Sequence, residues 1–188
     1  MLPLTSNAAL LLIDLQKAID HPSWGIRNNP EAEKRVAALL DRWRARGRPV
    51  IHVRYISREP TSTFRPGQTG VDFKDEAMPR PNELVITKPA ASAFIGTDLE
   101  EHLRRRGIIE VVVIGAITNN SVEATARIAG DLGFRTVVVS DATFTFARND
   151  YHGRHRTAEE VHAMSLANLD GQYAEIADTQ AVLLATTA

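Results

Sequence analysis

The sequence predicts a three-layer α/β domain built on a mostly parallel sheet. Strand and helix signals alternate along the chain, one strand is an unbroken apolar run and another is broken only by Glu110, and helix ends carry glycine or capping patterns. Unbroken runs, as opposed to alternating ones, belong to strands covered on both faces, which is the habit of parallel sheets.

The first strand is Ala8-Ala9-Leu10-Leu11-Leu12-Ile13, closed by Asp14. A helix follows from Asn29-Pro30 to Arg46, with Pro30 in the first turn, where no N–H is needed. Val36, Leu39, Leu40 and Trp43 fall on one face of it, and Gly47 ends it. Pro49 to Tyr55 forms the second strand. Between Ile56 and Asn82 periodicity is lost amid Pro60, Pro66, Gly67, Gly70, Pro79 and Pro81. A loop this long reads either as a flap or subunit contact, or as an ordered surface excursion.

Glu83 to Lys88 is a short strand. Thr97-Asp98-Leu99-Glu100 is a capping-box pattern that opens a helix to Arg106, stopped by Gly107. Ile109 to Ile114 is a second apolar strand, interrupted only by Glu110. Gly115 to Asn120 is a turn, and a helix runs from about Ser121 to Leu132. Gly133 ends that helix, and the next strand covers Arg135 to Val139 and stops at Ser140-Asp141. Thr157-Ala158-Glu159-Glu160 is a second capping box, heading a helix to about Leu169, and a weak strand spans Tyr173 to Ala177.

A length of 188 residues suits one core and not two, so 1–188 is expected to be one domain with a long loop at about 56–82. Hydrophobic residues at 44% and charged residues at 24% fit a globular chain. Lys plus Arg total 22 against 23 Asp plus Glu, and a net charge of -1 argues against a nucleic-acid or anionic-membrane partner. No apolar stretch is long enough for a bilayer, no basic flank marks a signal peptide, and a cytoplasmic location is expected. The cysteine count is zero, which removes disulfides, thiolate metal sites and a cysteine nucleophile.

In parallel sheets, ligands bind beyond the carboxyl ends of the strands. The polar residues there are Asp14, Lys88, the Gly115 to Ser121 turn and Asp141. Asp14 closes an apolar strand; desolvation raises such a carboxyl and suits it to general-base work, against the plainer reading of a cap or ion pair. Lys88 offers a compact charge that arginine cannot replace in a tight carboxylate pair, or else simply reaches solvent. Ser121 brings a hydroxyl to unpaired N–H groups at a helix start, where an oxyanion is stabilised; serine there is also a common N-cap.

Three segments then match a known pattern in order: Leu12-Ile13-Asp14-Leu15-Gln16; Lys88 with Ser92-Ala93-Phe94 and Thr97; and Gly115-Ala116-Ile117-Thr118-Asn119-Asn120-Ser121-Val122-Glu123-Ala124-Thr125-Ala126-Arg127. Together with Gly133-Phe134 to Asp141-Ala142 and Met164 to Leu169, they resemble the isochorismatase-like cysteine hydrolases, which include nicotinamidases, N-carbamoylsarcosine amidases and ureidoacrylate amidohydrolases. The resemblance covers roughly Ala8 to Asp178. It implies a Rossmann-like sheet and an Asp–Lys–Cys triad, with Asp14 as base, Lys88 as its partner and the nucleophile at Ser121. It also implies a cis peptide between Ala116 and Ile117, an oxyanion hole from the Ile117 and Ser121 N–H groups, and a homo-oligomer (dimer or tetramer) with the 56–82 loop or the last helix as contact. The activity it implies is cleavage of a small amide, urea or carbamate through a covalent thioester.

Serine departs from this pattern, because a hydroxyl is far less acidic than a thiol and serine hydrolases recruit a histidine or lysine base. The chain as written is expected to hydrolyse amides very slowly or not at all. Ser121 reads as a substrate-trapping replacement, a natural substitution with altered chemistry, or the mark of a retired enzyme kept for binding or assembly. Isochorismatases proper, which cleave a vinyl ether with the aspartate as acid and no covalent step, also lack the cysteine.

Nicotinamidases hold a metal on an Asp and histidines near the second strand. Tyr55 and Ser57 stand at the matching positions, so no metal is indicated, and no organic cofactor. His52 reads as a core or inter-strand histidine, His152 and His155 as loop residues. Gln16, Ile19, Trp24, Tyr55, Phe94 and Ile117 are the candidate pocket walls, with Gln16 placed to orient Asp14 or touch ligand. Arg54 and Arg58 are candidates to receive a substrate carboxylate.

Overall fold

In the computed structural model, which describes residues 4–186, the apolar run Ala9–Ile13 is strand β1 and is buried throughout. The first three and last two residues of the expected 1–188 domain lie outside the described residues. The other strands are β2 (Val50–Tyr55), β3 (Leu84–Lys88), β4 (Glu110–Ala116), β5 (Arg135–Phe144), the short pair β6 (Arg148–Asn149) and β7 (His155–Arg156), and β8 (Glu175–Ala177). The α-helices are α1 (Ala32–Ala45), α2 (Leu99–Arg105), α3 (Glu123–Asp131), α4 (Ala158–Leu169) and α5 (Thr179–Ala185).

One sheet has the order β3-β2-β1-β4-β5-β8, and each neighbouring pair is parallel. The chain builds outward from β1 to β3, then returns to add β4 on the other edge of β1. The strand order therefore reverses between β1 and β4, and a crevice at their carboxyl ends is where such sheets bind ligands.

Alternate residues of β1 face opposite layers. Leu10 and Leu12 pack with Val36, Leu39 and Trp43 of α1 and Val182 of α5. Leu11 and Ile13 pack with Leu99 and Leu103 of α2, Ala126 and Ala129 of α3, and Leu169 of α4. Burial on both faces is why the strand reads as a run without polar breaks. The Trp43 indole, deep in the first layer, donates to the Ala8 carbonyl at 2.9 Å. At the seam only glycine fits: Gly115 has φ +117°, and a Cβ there would lie 2.2 Å from the Ile13 carbonyl oxygen.

Several local expectations change. β5 does not stop at Ser140-Asp141; it bulges against β4 between the Val113↔Val138 and Gly115↔Thr143 pairs and continues to Phe144. The Asn29 side-chain amide closes the bulge by donating to the Ser140 and Thr143 carbonyls, a long-range contact invisible to local pattern. The capping box before α2 does not form: Asp98 is the N-cap without a side-chain bond, and the Thr97 hydroxyl donates to the Ala93 carbonyl at 2.5 Å. The box before α4 does form, on Thr157 and Glu160. Ser121 is not an N-cap but sits inside a π-helical turn, Thr118–Val122. The short helix α5 carried no signal beyond Asp178, whose side chain accepts from the Ala181 N–H.

The 56–82 loop is strapped down. The Lys74 N–H donates to the Leu15 carbonyl and the Lys17 N–H to the Asp72 carbonyl, while the Lys74 ammonium bonds Asp20 at 2.5 Å and Glu33 at 2.8 Å.

Candidate active site

Asp14, Lys88 and Ser121 come from three segments that end at one edge of the sheet. Asp14 is the first residue beyond β1, with φ +49°, a left-handed conformation that Asp tolerates better than most residues. Its N–H donates to the Val53 carbonyl at 2.9 Å and its carbonyl accepts from the Gln16 N–H at 2.8 Å, so the side chain leaves the line of the strand. Lys88 is the last residue of β3. Ser121 rides on the π turn between β4 and α3, a local geometry often found at functional sites. The Ala116–Ile117 peptide that precedes this turn is cis.

The Lys88 ammonium lies 2.8 Å from Asp14 Oδ2 and donates to Ser121 Oγ at 3.1 Å and to the Ala90 carbonyl at 3.0 Å. An ammonium has three donors, and all three are engaged. The cluster is nearly dry: Asp14 is 4% exposed, Lys88 1% and Ser121 7%. Burial pushes the Asp14 carboxyl above its ordinary range, while the Lys88 charge and hydrogen bond and the Ser121 hydroxyl pull the other way. Asp14 Oδ1 is buried with no hydrogen-bond partner among the described residues. Ser121 Oγ accepts from Lys88, which leaves its own proton to donate. The cluster thus places an acceptor carboxylate, a fixed cation and a hydroxyl at one point.

A run of aromatic contacts leads away from it. The Lys88 ammonium is 5.0 Å from the Tyr55 ring centre, Tyr55 meets Phe64 edge-on at 5.7 Å, Phe64 meets Trp24 at 6.3 Å, and Trp24 stacks on Phe146 at 5.3 Å. Ile19 is buried in the same layer, Ile117 packs against it, and Trp24 is pinned by its indole N–H on the Ala18 carbonyl at 3.0 Å. Phe64 escaped sequence reasoning as an aromatic in an aperiodic stretch, and Phe146 because it lies past the expected end of its strand; the Phe144-Thr145-Phe146 alternation was the signal there to use.

Other candidates are placed differently. Gln16 neither orients Asp14 by its side chain nor faces a ligand: fully buried, it donates to the Tyr55 and Val71 carbonyls and accepts from the Tyr55 N–H, clamping β2 to the loop. Phe94 stands apart from the Trp24–Tyr55 wall, stacked on Phe134 at 5.9 Å against the α2–α3 layer. Asp141 anchors the start of α5, accepting from the Thr179 N–H and hydroxyl at 2.7 Å each. Arg54 bonds the Thr87 hydroxyl at 2.9 Å. Arg58 and Arg65 line a surface depression of about 620 Å³ together with Thr87 and Lys88. His52 is fully buried with Nε2 2.9 Å from Glu83 Oε2, and burial lowers its pKa. Ser57 Oγ accepts from the Glu59 N–H. Among the described residues no group of three or more His, Asp or Glu side chains is arranged to hold a metal ion, and no helix is long and apolar enough to cross a membrane.

Residues 8–181 match the Isochorismatase domain family. The uncharacterized isochorismatase family protein YrdC of Bacillus subtilis (strain 168) is 39% identical over 93% of this chain and 94% of its own. Nicotinamidase 3 of Arabidopsis thaliana is 33% identical over 94% of this chain and 87% of its own. A solved isochorismatase-family structure from Chromobacterium violaceum ATCC 12472 superposes with a TM-score of 0.95 at 55% identity, covering 99% of this chain and 98% of that one.

Proposed function

The chain is a hydrolase of the isochorismatase family, and we propose that its site is built to cleave the C–N bond of a small amide, urea or carbamate through Asp14, Lys88 and residue 121, the whole chain acting as one hydrolase domain. The observation that carries this reading is the Lys88 ammonium with all three donors fixed, one on the carboxylate and one on the side-chain oxygen at 121.

With a thiol at position 121, Asp14 takes the thiol proton as the sulfur bonds the substrate carbonyl carbon. The carbonyl oxygen gathers charge, and the Ile117 and 121 N–H groups at the mouth of the turn are its proposed donors. The C–N bond breaks as Asp14 returns the proton to the leaving nitrogen. Water then attacks the thioester, loses a proton to Asp14 and releases the acid, and the thiol re-forms. Lys88 offsets part of the burial penalty on the carboxylate whenever Asp14 is ionised, and stays in place as the proton comes and goes. A serine hydroxyl holds its proton far more tightly, so the chain as written binds such substrates and turns them over very slowly. Arg58 and Arg65, which line the same surface depression as Lys88, favour substrates that also carry a carboxylate. The test is the Ser121→Cys variant assayed for ammonia release across amides, ureas and carbamates.

A second reading rests on the Asp14 carboxyl, which burial pushes upward. A protonated Asp14 is an acid, and a chain with no cysteine fits vinyl-ether cleavage without a covalent step. Pyruvate release from isochorismate by the unaltered chain distinguishes the two. We further propose a homo-oligomer, dimer or tetramer, as membership of the family suggests, and light scattering on the eluted peak tests it.

A further inference from the structure

Behind the π turn lies a set of buried polar side chains that the proposed reaction does not use. His162, on the inner face of α4, has Nδ1 2.9 Å from the Thr118 hydroxyl. Its ring also faces the backbone of Ser140 in β5, a contact that opposes the effect of burial on its pKa. Ser165 follows three residues later on the same face of the helix. Its hydroxyl lies 2.6 Å from Glu123 Oε2 and 3.1 Å from the Thr118 carbonyl, so one proton serves two acceptors. Glu123 is held in turn by Arg127 at 2.8 Å. Thr118 is fully buried, and His162 and Ser165 are 4% and 2% exposed.

We propose that His162 and Ser165 are positioning residues that lock the Thr118–Val122 turn from behind and so hold the side chain at 121 on the Lys88 ammonium. The inference rests on the reading of residue 121 as the nucleophile position. A π turn is one wide loop of backbone that competes with tighter helical turns. Side-chain bonds to both the hydroxyl and the carbonyl of its first residue fix where the turn starts. Ser121 lies three residues on, so a shift at Thr118 moves the oxygen that Lys88 must reach at 3.1 Å. The imidazole bridges two elements: its Ser140 contact ties it to the bulged strand, and its Thr118 contact ties it to the turn. Burial lowers the His162 pKa, with Glu159 and the Ser140 backbone contact opposing, so the ring is neutral at pH 7. A neutral imidazole bonded to Thr118 through Nδ1 accepts the hydroxyl proton when its own proton faces Ser140. Leaving any of these groups unpaired in the interior is unfavourable, which makes the arrangement all-or-none.

The absence of cysteine makes the test specific, because Ser121→Cys creates a protein with one thiol. In that background, His162→Ala, His162→Asn, Ser165→Ala and Thr118→Val are compared by the pH dependence of iodoacetamide alkylation and by amide turnover. The alanine and valine variants are expected to lower kcat about tenfold or more with KM within about twofold, and to move the thiol pKa up towards the free value of about 8.5. His162→Asn keeps an acceptor for the Thr118 hydroxyl and is expected to recover most of both. Alkylation needs no substrate, so it reads the positioning even where no amide is hydrolysed. An inert Ser121→Cys protein overturns the amidase reading; alkylation profiles unchanged by Ser165→Ala and Thr118→Val overturn this one. Should His162→Ala fail to fold, those two milder variants decide the matter.

Discussion

The Lys88 ammonium sits 2.8 Å from Asp14 Oδ2, in a space from which water is almost excluded, and this contact ties the end of β3 to the end of β1 across β2. Removing one partner of a buried pair leaves the other charge stranded, at a cost of about 3 kcal/mol or more. Lys88→Met is therefore expected to lower the urea-unfolding free energy by about that much. The double variant Lys88→Met, Asp14→Asn is expected to regain most of the stability, and neither to regain activity in the Ser121→Cys background. Equal stabilities for the single and double variants contradict the pairing.

Acid sensitivity follows from two carboxylates away from the site. Burial alone raises Glu33 and Glu83, but Arg27 and Lys74 around the first, and Arg44, the Arg80 N–H and His52 around the second, outweigh it and bring both to about 2. Their folded values lie below the ordinary 4.5, so their contribution is complete above pH 4.5 and is lost as pH falls from there towards 2. The Tm is expected to fall through that window. Glu33→Gln is expected to cost roughly 2 kcal/mol at pH 7 and to flatten the acid limb.

Gly115→Ala is expected to prevent stable folding, since its Cβ would meet the Ile13 carbonyl oxygen at 2.2 Å, a backbone atom that cannot step aside. Gly153→Ala, at φ +81° with nothing within 4 Å, is expected to cost about 1 kcal/mol. Circular-dichroism melts of the two variants separate steric exclusion from ordinary left-handed strain.

If Arg58 and Arg65 receive an anionic group, Arg58→Ala and Arg65→Ala in the Ser121→Cys background raise KM about tenfold for carboxylate-bearing amides and leave neutral amides unchanged. Parallel KM values for the two substrate classes check this; equal effects on both remove the arginines from recognition.

The sheet was legible because its evidence is local: Ala9–Ile13 and residues 111–116 are apolar runs buried on both faces, and each ends where the pattern breaks. Asp14, Lys88 and the Ser121 turn were legible as polar residues at such ends. Asp141 looked equivalent, yet β5 bulges under the Asn29 amide and turns Asp141 onto α5. Gln16 was misread because a buried amide facing backbone leaves no sequence mark. Thr97 had the right spacing for a cap, but the helix starts one residue later at Asp98, and the Thr97 hydroxyl donates to the Ala93 carbonyl and accepts only a long 3.4 Å bond from the Leu99 N–H. The Thr118–His162–Ser165 set did leave a trace, since His162 and Ser165 interrupt the buried face of α4 three residues apart, where apolar residues are expected.

The most direct measurement is ammonia release by Ser121→Cys against the unaltered chain on a panel of amides, ureas and carbamates. A rise of at least roughly a thousandfold is expected on one or more members of the panel, abolished again by Asp14→Asn. A cysteine variant no faster than the serine chain on every member contradicts it.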